Sequence, residues 1–383
     1  MLSDRERDGV LSGVRVADFS RVLAGPYATM MLADFGADVI KVEPPGGDDT
    51  RAWTPPVDAR GQSTYFSGVN RGKRSLVLDL TRDEDAAAAR RLAREADIVV
   101  ENFRPGVMAR FGLDFDSVRA ENPSAIFCSI TGFGGGGGAA LPGYDLLVQA
   151  VGGLMSITGP VDGEPSKVGV ALVDVLTGLN AVTGILLALR ERERSGTGQR
   201  VEVDLMTSLL SALANQASST LATGRAPARL GNAHPSIAPY ELFDASDRPL
   251  VIAVGNDRQF AALVGVLGGP GLAGDPRFST NQLRVHNREA LRALIAARLG
   301  ERAASEWVEL LTSARVPAGL VNDVAEAFAF AEGLGLEPVV ELGAGAGESV
   351  RLTANPIHLS RTPAVYGQQP PDLGSAGTSV DWR

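Results

Sequence analysis

The sequence predicts an α/β protein built on a parallel sheet. Three observations carry this. Short apolar strands alternate with helices through roughly the first 135 residues. The helix over TRDEDAAAARRLAREA among them carries Ala- and Leu-rich turns. Beyond residue 225 the order of elements changes, which marks a second, smaller α/β domain.

The elements follow in order. VRVADFS is a strand, and AGPYATMMLADFG the helix after it. ADVIKVE and SLVLDL are strands. TRDEDAAAARRLAREA reads as a helix, opened by Thr81 and Glu84 at capping-box spacing. DIVVENF and AIFCSITGFG are further strands. A sheet of this kind binds ligands beyond its strand C-termini, here residues 20–26, 43–50, 78–81 and 102–106. RAPARLGN, at 225–232, is a linker. YELFDASDRPLVIAVG reads as two strands joined by a turn at 246–248. Three amphipathic helices, then a strand (PAGLVN) and a helix (DVAEAFAFAEGLG), complete the small domain. The expected division is therefore a large domain over 1–224, a small domain over 225–330, and a Pro-rich segment over 331–383 that returns to the large domain.

Composition narrows the function. The 383 residues can bury a large core. A net charge of −9 argues against a nucleic-acid partner. The first thirteen residues are charged and have no apolar centre, so no signal peptide is expected. The lone Cys128 sits in an apolar strand and excludes an internal disulfide, which fits the cytoplasm. His234, His286 and His358 are too scattered for a helical metal site, and no metal is expected. Basic residues are almost all arginine. The only lysines are Lys41, Lys73 and Lys167, read as compositional bias. Gly132, Gly134 and Gly137 satisfy G-x-G-x-x-G, but Ala-Ala-Leu-Pro-Gly follows and no helix opens there, so the run reads as a flexible loop.

One residue stands out. The apolar run KVGVALVDVLTGLNAVTGILLAL (167–189) reads as a buried helix, not a membrane span. From residue 168 to 189 its single ionisable group is Asp174. A carboxylate there must be paired, hydrogen-bonded or beside a ligand channel, or else serve as a helix cap.

Several segments occur in a particular order: DFSRVLAGPYATMMLADFGADVIKVEPPGGDDTR, ADIVVENFRPGVMARFGLD, PGYDLLVQAVGGLMSITG, ALVDVLTG, SGTGQRVEVDLMTSLL and GNAHPSIAPYELF. Together they resemble the class III CoA-transferase (CaiB/BaiF) family over nearly the whole chain. The resemblance implies a Rossmann-like large domain, a small domain and an interlocked homodimer. It places the catalytic aspartate at Asp174. Coenzyme A, as acyl-CoA, would contact Val22, Leu23, Leu78, Asp79, Thr81, Asn102, Arg104 and Arg110, while Tyr144, Gly255 and Asn256 would face substrate or oxyanion. Some relatives carry a basic residue where this chain has Pro44, so a 3′-phosphate contact must come from elsewhere.

The activity implied is transfer of CoA from a thioester to a free acid through an aspartyl-CoA intermediate on Asp174. Two alternatives stand beside it. One is an α-methylacyl-CoA racemase of the same superfamily. There a His works in the segment matching PGYD; this chain offers Tyr144 instead, with Asp257 as the replacement for the second acid. The other is a non-catalytic CoA-binding protein. The expected partners are acyl-CoA and a carboxylic acid, with no nucleic acid and no membrane.

Overall fold

The computed structural model describes residues 9–268, 272, 274–343, 348–377 and 381–382. The first eight residues, part of the segment read for a leader, lie outside these. The chain forms two compact units. The larger takes residues 1–154, 168–225 and 336–383, and the smaller 155–167 and 226–335.

The larger unit contains six parallel strands: β1 (Arg15–Asp18), β2 (Asp38–Glu43), β3 (Lys73–Val77), β4 (Ile98–Glu101), β5 (Ile126–Thr131) and β6 (Arg200–Asp204). Their order is β3-β2-β1-β4-β5-β6. The strand order therefore reverses at β1, which pairs with both β2 and β4. A crevice opens at such a reversal, beyond the strand C-termini. The central strands are buried and mostly apolar, as parallel strands covered on both faces are. Val16, Val39, Ile98 and Ile126 pack on one side with helix α1 (Ala24–Asp34). Ala17, Ile40, Val99 and Phe127 pack on the other with helix α2 (Asp83–Glu95). Each fully buried Val, Ile or Phe side chain among these contributes roughly 1.5–3 kcal/mol.

Two expectations need correction. β3 begins at Lys73, two residues before the apolar run SLV, because the Lys73 ammonium is buried in an ion pair. The capping box on α2 does not form. Arg82 occupies the cap position without a side-chain bond, and the Thr81 hydroxyl donates to Asp79 instead. A further strand, β6, went unread in the sequence, because Arg200 and Glu202 lie within it and leave too little apolar signal.

Further helices in this unit include α3 (Phe115–Glu121), α4 (Asp145–Val151), α5 (Leu172–Ser195) and α6 (Leu205–Ala212). α5 is long and apolar enough to cross a bilayer, but here it packs against the sheet and α1. Its burial is one-sided, which corrects the reading of a wholly buried helix. Val173, Thr177, Ala181, Ile185 and Ala188 are buried, whereas Leu179, Leu186 and Leu187 are exposed. The close packing depends on Gly178. A Cβ there would stand 2.7 Å from the Ala24 carbonyl oxygen, at the start of α1. Glycine thus lets α5 approach the mouth of the sheet one turn after Asp174. Helix α7 (Ala214–Thr223) ends this stretch.

The smaller unit has an antiparallel sheet of β7 (Tyr240–Asp244), β8 (Pro249–Ala253) and β9 (Ala318–Leu320), in the order β7-β8-β9. Helices α8 (Asp257–Leu267), α9 (Asn281–His286), α10 (Arg288–Leu299) and α11 (Ala304–Ser313) cover it, with Phe243, Ile252, Leu263, Ile295 and Trp307 in the core. The helix α12 (Val324–Gly333) has a capping box between Asp323 and Glu326 and no buried residue. Strands β10 (Val339–Leu342) and β11 (Val350–Thr353) form a hairpin in the larger unit. The tail then runs along β3, where the Ala376 amide donates to the Ser75 carbonyl.

Candidate active site

The crevice at the β1/β4 reversal is lined by the turn after β1 (Arg21 to Ala24), the turn after β4 (Asn102 to Pro105), the loop after β5, and Asp174. The two turns are stitched together. The Arg21 amide donates to Asn102 Oδ1 (2.8 Å), and Asn102 Nδ2 donates back to the Arg21 carbonyl (2.7 Å). The Arg21 guanidinium sits 5.2 Å from the Phe103 ring centre.

Asp174 is in the first turn of α5, and it does not cap that helix. Asp145, from the segment PGYD, does so from a distance. Its Oδ1 accepts from the amides of Val173 (2.8 Å) and Asp174 (3.3 Å). The buried Gln149 donates to Asp145 Oδ2 (2.6 Å) and accepts from the Val168 amide. Two carboxylates therefore share one helix terminus. Burial, and then the Asp145 charge, push the Asp174 carboxyl up to about 7. Its own surface is only partly covered, because it faces the crevice. The Tyr65 phenol lies in the same field. Burial, Asp174 and Asp145 push it up to about 12, and Trp53 packs against its ring edge-on at 4.9 Å. Tyr65 thus stays a proton donor at neutral pH. Sequence reasoning passed over it, because TYFSG offers neither an isolated charge nor a motif.

The expected site residues divide clearly. Val22, Leu23, Asn102, Arg104, Tyr144 and Asp174 line one crevice. Tyr144 is exposed, and no histidine is among the lining residues. Leu78, Asp79, Thr81 and Arg110 do not line it. Leu78 is buried in the core below α2, and Asp79 accepts from both the amide and the hydroxyl of Thr81. Gly255 and Asn256 belong to the smaller unit. There the Gly255 amide donates to Gln259 Oε1, and Asn256 caps α8. Asp257 is paired with the buried Arg284 at 2.6 Å. Cys128 is fully buried, and burial raises its thiol pKa.

The glycine run shapes one wall. Gly132 and Gly143 cross so closely that a Cβ on the former would stand 2.5 Å from the latter's Cα. They pin the ends of the loop, while a Cβ at Gly135 or Gly136 would meet nothing within 4 Å. The next helix opens only at Asp145, so the run does not build a dinucleotide fingerprint.

Comparison with known proteins gives the family. The family model for CoA-transferase family III matches residues 11–376. The chain is 46% identical over 377 residues to a succinate–glutarate CoA-transferase of Agrobacterium fabrum, covering 97% of this chain and 94% of that protein. It is 42% identical over 355 residues to an acetyl-CoA:oxalate CoA-transferase of Acetobacter aceti, covering 92% and 90%. The crystal structure of a CaiB/BaiF family protein from Brucella suis superposes with a TM-score of 0.87 at 43% identity, covering 97% of this chain and 98% of that one. With a parallel sheet reversing at the crevice, an aspartate at the helix terminus beside it, and these relatives along its whole length, the chain belongs to CoA-transferase family III and is a CoA-transferase.

Proposed function

We propose that the protein moves CoA from an acyl-CoA to a free carboxylic acid by nucleophilic catalysis on Asp174. The Asp174 carboxylate attacks the thioester carbonyl. The C–S bond breaks, CoA leaves as a thiolate, and an acyl-aspartyl anhydride remains. The thiolate then attacks the aspartyl carbonyl and expels the donor acid, giving an aspartyl-CoA thioester. The acceptor carboxylate runs the same two steps in reverse and frees Asp174.

The observation that carries this reading is the position of Asp174. Its carboxylate opens onto the crevice, in the first turn of α5, beside the turns expected to hold CoA. The helix terminus favours the ionised form, while Asp145 and burial oppose it. The result is a carboxyl that titrates near neutrality, so ionised and neutral forms are both populated there. Val22, Leu23, Asn102 and Arg104 form the proposed CoA contacts, with Arg104 toward the phosphates. The relatives' names favour a short dicarboxylic acid on at least one side of the exchange.

The functional division proposed is a CoA-binding large domain over 1–224, a small α/β domain over 225–330, and a C-terminal segment over 331–383 that returns to the large domain. A cytoplasmic homodimer is part of the same proposal. The exposed Leu186 and Leu187 on α5 and Leu221 on α7 support a partner surface. The test is a panel of acyl-CoAs and free acids, with thioester exchange followed by mass spectrometry. Exchange between two acids without ATP supports the reading. Hydrolysis without exchange contradicts it.

A further inference from the structure

The turn that follows β1 is held by side chains at five successive backbone groups. The Ser20 amide donates to Asp18 Oδ1 (2.9 Å), and the Ser20 carbonyl accepts from Lys41 Nζ (2.8 Å). Asn102 takes the Arg21 amide and gives to the Arg21 carbonyl. The Val22 amide points to the Asp48 carboxylate at 3.3 Å.

Beneath the turn is a chain of buried charges. Lys41 pairs with Asp48 at 2.8 Å and Lys73 with Asp18 at 3.1 Å, and all four side chains are essentially inaccessible. Lys73 spends its three protons on Asp18, the Pro26 carbonyl and Asn70 Oδ1. Asp48 is itself fixed by the Thr50 amide and hydroxyl. The chain has three lysines, and two of them are here, in a sequence that otherwise uses arginine. A compact ammonium with three diverging donors fits this site; a planar guanidinium does not.

What the network holds is strained. Val22 has φ +66°, the left-handed region that a β-branched residue rarely enters. Strain of this kind persists only where the surroundings impose it, and it concentrates at functional sites. Val22 and Leu23 line the crevice.

We infer that Lys41 and Asp48 are positioning residues, which hold the strained turn at Val22 in the shape that receives acyl-CoA. This rests on the reading that acyl-CoA enters the crevice. The network acts through the Val22 backbone, so its importance depends on which residue stands at 22. Glycine adopts φ above zero without support.

The test is therefore a comparison of backgrounds. The charge-balanced variant Lys41→Met/Asp48→Ala is made with Val22 and with Val22→Gly, and KM for acyl-CoA is measured against each parent. Folding is checked by circular dichroism. With Val22, KM is expected to rise tenfold or more; with glycine, less than threefold. A purely structural network would lower the melting temperature in both backgrounds and leave KM alone, and that result overturns the inference. So does an equal rise in KM in both backgrounds. Should the double variant not fold, Asp48→Asn keeps the shape and removes the charge. It is then expected to raise KM three- to tenfold with Val22 and not at all with glycine, and an unchanged KM with Val22 overturns the inference. Leu23→Arg, which fills the crevice, separates the two readings. If it leaves KM unchanged, the crevice reading falls and the network inference falls with it. If it raises KM while the network variant does not, the network inference falls alone.

Discussion

Asp145 caps the helix that carries Asp174: its Oδ1 accepts from the Val173 and Asp174 amides, so one carboxylate positions and electrostatically opposes the other. Removing that charge without removing the cap separates the two effects. Asp145→Asn keeps an acceptor oxygen for the helix amides. It is expected to lower the Asp174 pKa and to move the acid limb of the kcat/KM profile to lower pH. An acid limb that stays in place would show that Asp145 does not tune the nucleophile.

The raised Asp174 pKa also has a signature in stability. The unfolded value is the ordinary 3.8 and the folded value about 7, so the folded state binds more protons between them. Stability contributed by this group is therefore highest below pH 4 and falls as pH rises to 7. Asp174→Asn removes the penalty. The variant is expected to be more stable than the parent by roughly 1–2 kcal/mol at pH 8, allowing for the partial exposure of Asp174, and equal to it near pH 4. Denaturant melts at the two pH values check this, and a variant less stable at pH 8 contradicts it.

Gly178 sets how near α5 comes to the crevice. In Gly178→Ala the new Cβ would press on the Ala24 carbonyl oxygen at 2.7 Å and on the Tyr27 ring at 3.1 Å. The helix must shift, and Asp174 shifts with it. A displacement of even part of an ångström is expected to lower kcat tenfold or more in a folded protein. Gly136→Ala is the control. Its Cβ meets nothing within 4 Å, and the fold is expected to tolerate it fully. Steady-state kinetics with thermal melts distinguish the two variants.

Much of this was legible in the sequence, for physical reasons. Apolar strands between helices announce a buried parallel sheet, because both faces must be covered. Asp174 announced itself because a charge in an apolar run needs a reason. Other parts were hidden. β6 alternates charged and apolar residues and is only partly buried, so its pattern is weak. Tyr65 gains its meaning only from two carboxylates far away in the chain. The scarcity of lysine read as bias. The structure puts Lys41 and Lys73 in one buried cluster, which pairing across β1, β2 and β3 brings about. The Asp145 cap on α5 spans 28 residues, beyond the reach of any local capping rule.

The central claim is that Asp174 is the covalent nucleophile. Hydroxylamine added during turnover with an acyl-CoA and an acceptor acid intercepts an activated aspartyl group, and peptide mass spectrometry locates the adduct. A hydroxamate on Asp174, formed only when acyl-CoA is present and accompanied by loss of CoA transfer in a folded Asp174→Ala variant, is the expected result. No adduct at Asp174, together with near-parental transfer by Asp174→Ala, would contradict it.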